Sequence, residues 1–237
     1  AKVFFTSFIS NMRINPINVN RINHDFEHFA RETMQSRIRN PHSFAKDISA
    51  FQKNYSKMGM LDVFCYNLAD FAERLQGSGM RDFAGIVYSG LAKLPIAKDT
   101  RITILEKAIT NAENQGDKFH ILARIVDLKK LYKAEWMSKQ YVKTLLKEEK
   151  CLKSIVTDFE EAKKGFKTVA KGTESEDVYR LRLAFARIDI AKTCMRQNPG
   201  LALSKIRSAK RVFIEQGRTK EVEFSEQLAK QIELRRY

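Results

Sequence analysis

The residues best suited to chemistry are His24-Asp25-Phe26-Glu27-His28. On a helix, His24 and His28 stand four positions apart and share a face. Two imidazoles so placed can reach one metal ion. Glu106 is the candidate third ligand. A simpler reading competes. Carboxylates near a helix start are favoured by the helix dipole, and a site just behind an irregular arm is poorly preorganised. The expectation is therefore a solvated helix start, with no catalytic residue, no bound metal and no cofactor. His42 and His120 have no acid or thiol at a telling spacing, and read as surface or packing residues.

The H-x-x-E-H spacing resembles that of the inverted zinc peptidases, which would imply a zinc-dependent hydrolase using His24, Glu27 and His28. That family's sites sit on mixed α/β domains, and nothing here supplies a sheet. There is no G-x-G-x-x-G, no Walker loop and no G-x-S-x-G. Gly77-Ser78-Gly79 lacks the preceding strand that a phosphate loop needs, so it reads as a turn or hinge. Cys65, Cys151 and Cys194 are odd in number, far apart and set within apolar patterns. They read as small buried hydrophobes, which suits a reducing, cytoplasmic setting.

The second candidate is electrostatic. Forty-three Lys and Arg stand against 28 Asp and Glu among 237 residues, a formal net charge of +15. Between Arg180 and Lys220 only Asp189 and Glu215 oppose the bases. Arg180, Arg187, Arg196, Lys205, Arg207, Lys210 and Arg211 fall on two successive helices and are expected to form one basic patch. Such a field favours an acidic protein partner or, alternatively, non-specific nucleic-acid binding, unless it is only a solubilising surface. Tyr179, Phe185 and Phe213 are interleaved with it, but Phe185 and Phe213 sit on apolar stripes and read as core, not as base-stacking platforms.

These residues must be carried on helices. No stretch shows sustained period-two alternation, whereas apolar residues recur at steps of three and four nearly throughout. Residues 1–22 lack periodicity and read as a loosely ordered arm. Val3–Ile9 is too short and interrupted for a signal core, and no run approaches a membrane span. Ala1 reads as a processed or artificial terminus, with Met12 an alternative start. Residues 23–237 read as a single all-helical domain, with a possible subdomain hinge at 77–79. Asn23, Asn40 and Asn198 are candidate N-caps, the last two followed by a proline that suits the first helical position. Gly59, Gly116, Gly172 and Gly217 are candidate stops.

The longest signal is the seam of Leu145, Leu152, Ile155, Phe159, Ala162, Phe166 and Val169. It predicts one helix over about 137–170, roughly 45–50 Å long, bounded by a capping box at Thr173-Glu174-Ser175-Glu176. The seam is expected to pack inside its own domain, although a coiled coil with another chain would use the same pattern. Ten helices with short connections predict an all-α, antiparallel αα-hairpin array, either a superhelix or an irregular helical bundle.

Ser89 and Ala123 lie 34 residues apart, and around them Tyr88-Ser89 with Ala92 parallels Leu122-Ala123 with Val126. Ala108 and the Ala202, Ile206, Ala209 set supply small residues where a second helix would approach. Over residues 80–135 and 178–235 this resembles the tetratricopeptide repeat. The repeat's Trp and closing Pro are missing, and the long helix interrupts the period. The resemblance implies a scaffold that binds peptides or helices on a concave face. The expected function is thus a non-enzymatic, cytoplasmic scaffold or adaptor for an acidic protein, of unspecified oligomeric state.

Overall fold

Apolar residues at helical spacing need partners, and here each helix finds them on its sequence neighbours. A computed structural model describes residues 16–36, 40–134, 138–165 and 174–234. Among them are ten helices and no strand: α1 (Pro16–Ser36), α2 (Pro41–Lys57), α3 (Leu61–Gly77), α4 (Arg81–Leu91), α5 (Lys98–Gln115), α6 (Lys118–Ala134), α7 (Ser138–Lys163), α8 (Glu176–Cys194), α9 (Pro199–Glu215) and α10 (Thr219–Leu234). Consecutive helices pack together within two compact units, Ala1–Gln115 and Gly116–Tyr237. The architecture is an all-α array of helical hairpins. The units meet in sequence between Gln115 and Gly116, whereas Gly77–Gly79 is a turn between α3 and α4, inside the first unit.

Several boundaries follow from local chemistry. The Asn40 side chain accepts the His42 amide at 2.8 Å, with Pro41 at the first helical position. Asn198 does the same for Leu201 at 3.0 Å, ahead of Pro199. Asp117 accepts the His120 amide at 3.0 Å and so caps α6. Asn23 is different. It lies inside α1, which begins at Pro16, so residues 16–22 are helical and not part of an arm. Ile22 packs on the core of the first unit, and that burial outweighs the few tenths of a kcal/mol that each asparagine costs a helix. Residues 1–15 lie outside the described set.

The first unit is organised by Phe26, which is fully buried. The rings of Phe51, Tyr55, Phe64 and Phe71 meet it edge-on at centroid distances of 5.3, 6.4, 6.1 and 5.9 Å. Such pairs add to simple area burial because ring edge and ring face carry opposite partial charge. One polar group is enclosed nearby. The Tyr55 hydroxyl donates to Asn23 Oδ1 at 2.8 Å, and Asn67 Nδ2 donates to the same oxygen at 3.1 Å. Burial pushes the Tyr55 hydroxyl up to about 12, so it stays a donor at any ordinary pH.

In the second unit α7 packs against both α6 and α8. Its Leu145, Leu152 and Ile155 are fully buried within the single chain, so the seam is internal packing. The helix is shorter than the sequence suggests, about 39 Å over Ser138–Lys163. Gly165, at φ +79°, takes the left-handed conformation that closes a helix at little steric cost. Phe166, Val169, Gly172 and Thr173 lie outside the described residues, and Ser175 is the N-cap residue of α8, without a side-chain capping bond. The α8–α9 pair is close because Ala184, Ala191, Ala202 and Ala209 are all fully buried in its seam.

Phe26→Ala should destabilise the first unit by about 3–5 kcal/mol in denaturant unfolding. Tyr66→Ala, at an exposed position on α3, should change stability by no more than about 0.5 kcal/mol. Similar losses for the two variants would contradict this description of the core.

Candidate functional site

The buried face of α7 carries two carboxylates, Glu148 and Glu149, that look toward different neighbours. Consecutive helical residues project about 100° apart. Glu148 therefore turns to α6, where Lys129 Nζ donates to its two oxygens at 3.0 and 2.7 Å. Glu149 turns to α8 and α9. Lys205 Nζ donates to it at 2.8 and 2.6 Å, and Arg187 Nε at 3.3 Å. Lys153, one turn along α7, stands 3.8 Å away. Burial alone would raise the Glu149 carboxyl. The hydrogen bond and charge of Lys205, the hydrogen bond from Arg187 and the charge of Lys153 outweigh it and hold the carboxyl below the ordinary value. Only 6% of the Glu149 side chain is exposed, against 14% for Arg187 and 17% for Lys205.

This divides the seven expected patch residues into three groups. Arg187 and Lys205 are structural ties to α7. Arg180 pairs with Glu215, and Lys210 with Glu226 at 2.7 Å. Arg196 and Arg207 are exposed and meet no carboxylate among the described residues. Arg211 is 78% exposed, with Glu215 only 3.8 Å away on its own helix. The continuous patch expected from the sequence is therefore interrupted. Glu149 and Glu226 lie outside the 180–220 window and neutralise it from elsewhere in the fold.

What remains is a stripe on the outward side of α9. Arg207, Arg211 and Ile214 recur at four and three residues, about 10 Å from end to end, and Arg218 lies past the left-handed Gly217 in the turn that ends the helix. Ala202, Ile206, Ala209 and Phe213 occupy the opposite, buried side. Ile214 is 58% exposed in the middle of the arginines. Arg218 is exposed, with Glu221 at 3.9 Å. The sequence reading had bases at these positions but missed Ile214, because one isoleucine off the apolar stripe is not a signal by itself. Phe185 was expected in the core. It packs on Phe213 at 5.3 Å but remains exposed, and Lys192 stands over the Phe224 ring at 4.7 Å.

The H-x-x-E-H residues are placed otherwise. His24 and His28 are exposed, the latter 3.6 Å from Glu32. Arg74 on α3 donates to both Glu27 oxygens at 3.3 and 3.0 Å, so this carboxylate ties α1 to α3. Among the described residues no group of three His, Cys, Asp or Glu is placed to hold a metal ion. His120 does have an acid partner, Asp117 three residues before it, in contact with its ring Nδ1. Cys65 and Cys151 are buried free thiols, pushed by burial up to about 11, and Cys194 is half-buried.

Glu149→Ala leaves Arg187 and Lys205 enclosed without their anion and should cost about 3–5 kcal/mol of unfolding free energy. Because the folded carboxyl lies below its ordinary 4.5, its contribution is complete above that value and is lost as pH falls through the folded value. Stability of the wild type should therefore drop below about pH 4.5, and more steeply than in Glu149→Gln. Parallel pH curves for the two proteins would contradict the assignment.

No family model matches the sequence, and no curated protein matches it. Among solved structures the chain is similar to a circular tandem repeat protein with novel repeat topology and enhanced subunit contact surfaces, at 11% identity and a TM-score of 0.24. The match covers 79% of this chain and spans half the length of that one. A likeness this shallow leaves the reading of the surface to its own residues.

Proposed function

We propose that the chain is a non-enzymatic helical scaffold, tetratricopeptide-like in its hairpin stacking, that binds an acidic protein partner through the outer face of α9. The observation that carries this reading is the stripe of Arg207, Arg211 and Ile214, two cations beside one exposed isoleucine on a helix whose other side is locked in the core, with Arg218 exposed in the turn that follows. An acidic helix with one apolar anchor matches it in charge and spacing. Arg187 and Lys205 act from beneath, holding α8 and α9 to α7 so that the stripe is presented by a rigid support. The reading assigns no catalytic step. Three free thiols, two of them buried, suit a cytoplasmic setting.

The test is a salt-titrated binding measurement with a labelled Glu/Asp-rich amphipathic peptide bearing one leucine per two turns, run beside single-stranded and duplex nucleic acid. The peptide should bind, and Arg207→Glu with Arg211→Glu should weaken it about ten- to a hundredfold, while Lys57→Glu on α2 changes little. Nucleic acid bound at this stripe would show a log–log salt slope no steeper than about −3. Equal affinity for peptide and nucleic acid, with equal salt slopes, would favour the nucleic-acid reading. No peptide binding at low salt would end the scaffold reading of α9.

A further inference from the structure

Helices α3 and α5 of the first unit leave between them a groove of about 670 Å³, with Tyr88 of α4 among the residues that line it. Its apolar lining includes Ala69, Ile96 and Ala97, and Tyr66 on the α3 wall is 67% exposed. The carboxylates are unequal. Glu73 is held by Lys107, and Asp70 lies 3.0 Å from the Arg74 guanidinium. Asp62 and Asp99, in the first turns of α3 and α5, are exposed and pair with no base among the described residues. The Glu73–Lys107 pair crosses between the same two helices further along, so both helix starts lie at one end of the groove. That end is anionic, and the stretch behind it is apolar.

The direction of α1 decides which stretch of chain stands beside that end. Asn67 Nδ2 donates to Asn23 Oδ1 at 3.1 Å, and Arg74 donates to Glu27 at 3.0 Å. Positions on α1 and α3 therefore rise together, and the two helices run parallel. Pro16 starts α1 seven residues before Asn23, about 10 Å down the axis. Asp62 stands five residues before Asn67, about 7.5 Å down α3. The chain that leads into Pro16 thus joins the unit at the end that carries Asp62 and Asp99.

Residues 1–15 hold Lys2, Arg13 and no acidic residue, and Phe4, Phe5, Phe8 and Ile9 lie between the two cations. An apolar run flanked by cations is the complement of an apolar trough with free carboxylates at its mouth. On α3, Asn67 and Arg74 turn toward α1, and Tyr66 and Ala69 turn to the other side, so the segment has to pass around the start of α3. One helix diameter of about 10–12 Å, followed by about 16 Å of wall from Asp62 to Glu73, takes about nine extended residues. Fifteen are at hand. We propose that residues 1–15 lie in the α3–α5 groove of their own chain, with Arg13 at Asp62 and Asp99 and with Phe8 and Ile9 over Tyr66 and Ala69. Attachment to α1 gives the segment an effective concentration in the millimolar range, roughly that of a short flexible tether, so a contact too small to hold a free peptide still fills the groove. This surface is separate from α9 and does not rest on the reading of it.

Hydroxyl-radical labelling of the full chain, read site by site by mass spectrometry, tests this. Tyr66 should label slowly, because a segment docked about 90% of the time slows labelling of the ring beneath it about tenfold. Phe5→Asp with Phe8→Asp should restore fast labelling of Tyr66, and so should Arg13→Glu. Adding Asp62→Lys and Asp99→Lys to Arg13→Glu should slow it again, since the charges are then exchanged across the same contact. Phe26, fully buried, should stay unlabelled in every variant, which shows that the unit has folded. The slow rate should hold from about 1 to 100 µM, because a contact within one chain does not depend on concentration. Tyr66 labelling as fast in the wild type as in Phe5→Asp with Phe8→Asp overturns the proposal. So does a rate that falls as concentration rises, which would give the groove to a second copy, and so does a charge-exchanged chain whose Tyr66 stays fast.

Discussion

Enclosing a carboxylate is unfavourable unless cations replace the water it gives up, and Glu149 is enclosed on that condition. Lys205 and Arg187 reach it from α9 and α8, 56 and 38 residues further along the chain. The apolar seam of Leu145, Leu152 and Ile155 drives association but says little about azimuth, since oil slides on oil. A salt bridge with defined partners on two other helices does specify one rotation and one height. Glu148 makes the corresponding contact to Lys129 on α6. Two neighbouring residues of α7 thus index helices on both of its sides, and the outward stripe of α9 depends on that indexing.

The first unit solves the same problem with different chemistry. Edge-on packing of Phe51, Tyr55, Phe64 and Phe71 around Phe26 is directional, so it orients as well as buries. The Tyr55–Asn23–Asn67 hydrogen bonds and the Arg74–Glu27 fork then set the level of α1 against its neighbours. Both units leave a strip of charge with one apolar group on an outer helix face. Net charge for the whole chain hides this, because the first unit's strip is acidic in a basic protein.

What could be read from sequence depended on how far apart the cooperating residues were. Asn40-Pro41 and Asn198-Pro199 announce helix starts because cap and proline act within one turn. The all-helical class was legible for the same reason, since a period of three and four is local. Asn23 looked like another cap, but its side chain is claimed by Tyr55 and Asn67, partners only the folded chain supplies. Gly165 was overlooked as a stop because the apolar pattern continues past it, and a glycine's left-handed conformation leaves no trace in that pattern. The basic window of 180–220 was visible, but Glu149 and Glu226 neutralise part of it from outside. Counting charge along a line cannot find counterions that arrive through space. The Arg74 partner of Glu27 was hidden for the same reason, since it lies on another helix.

The arginines of α8, α9 and the turn between them divide into those that hold the fold and those that face outward. Modification of the native protein with an arginine-selective dicarbonyl, followed site by site by mass spectrometry, measures this division directly. Arg196, Arg207 and Arg211 should react early and at comparable rates, with Arg187 resisting until the protein unfolds. If Arg187 reacts as fast as Arg207 in the folded chain, the Glu149 tie is not what positions these helices, and the surface built upon it has no support.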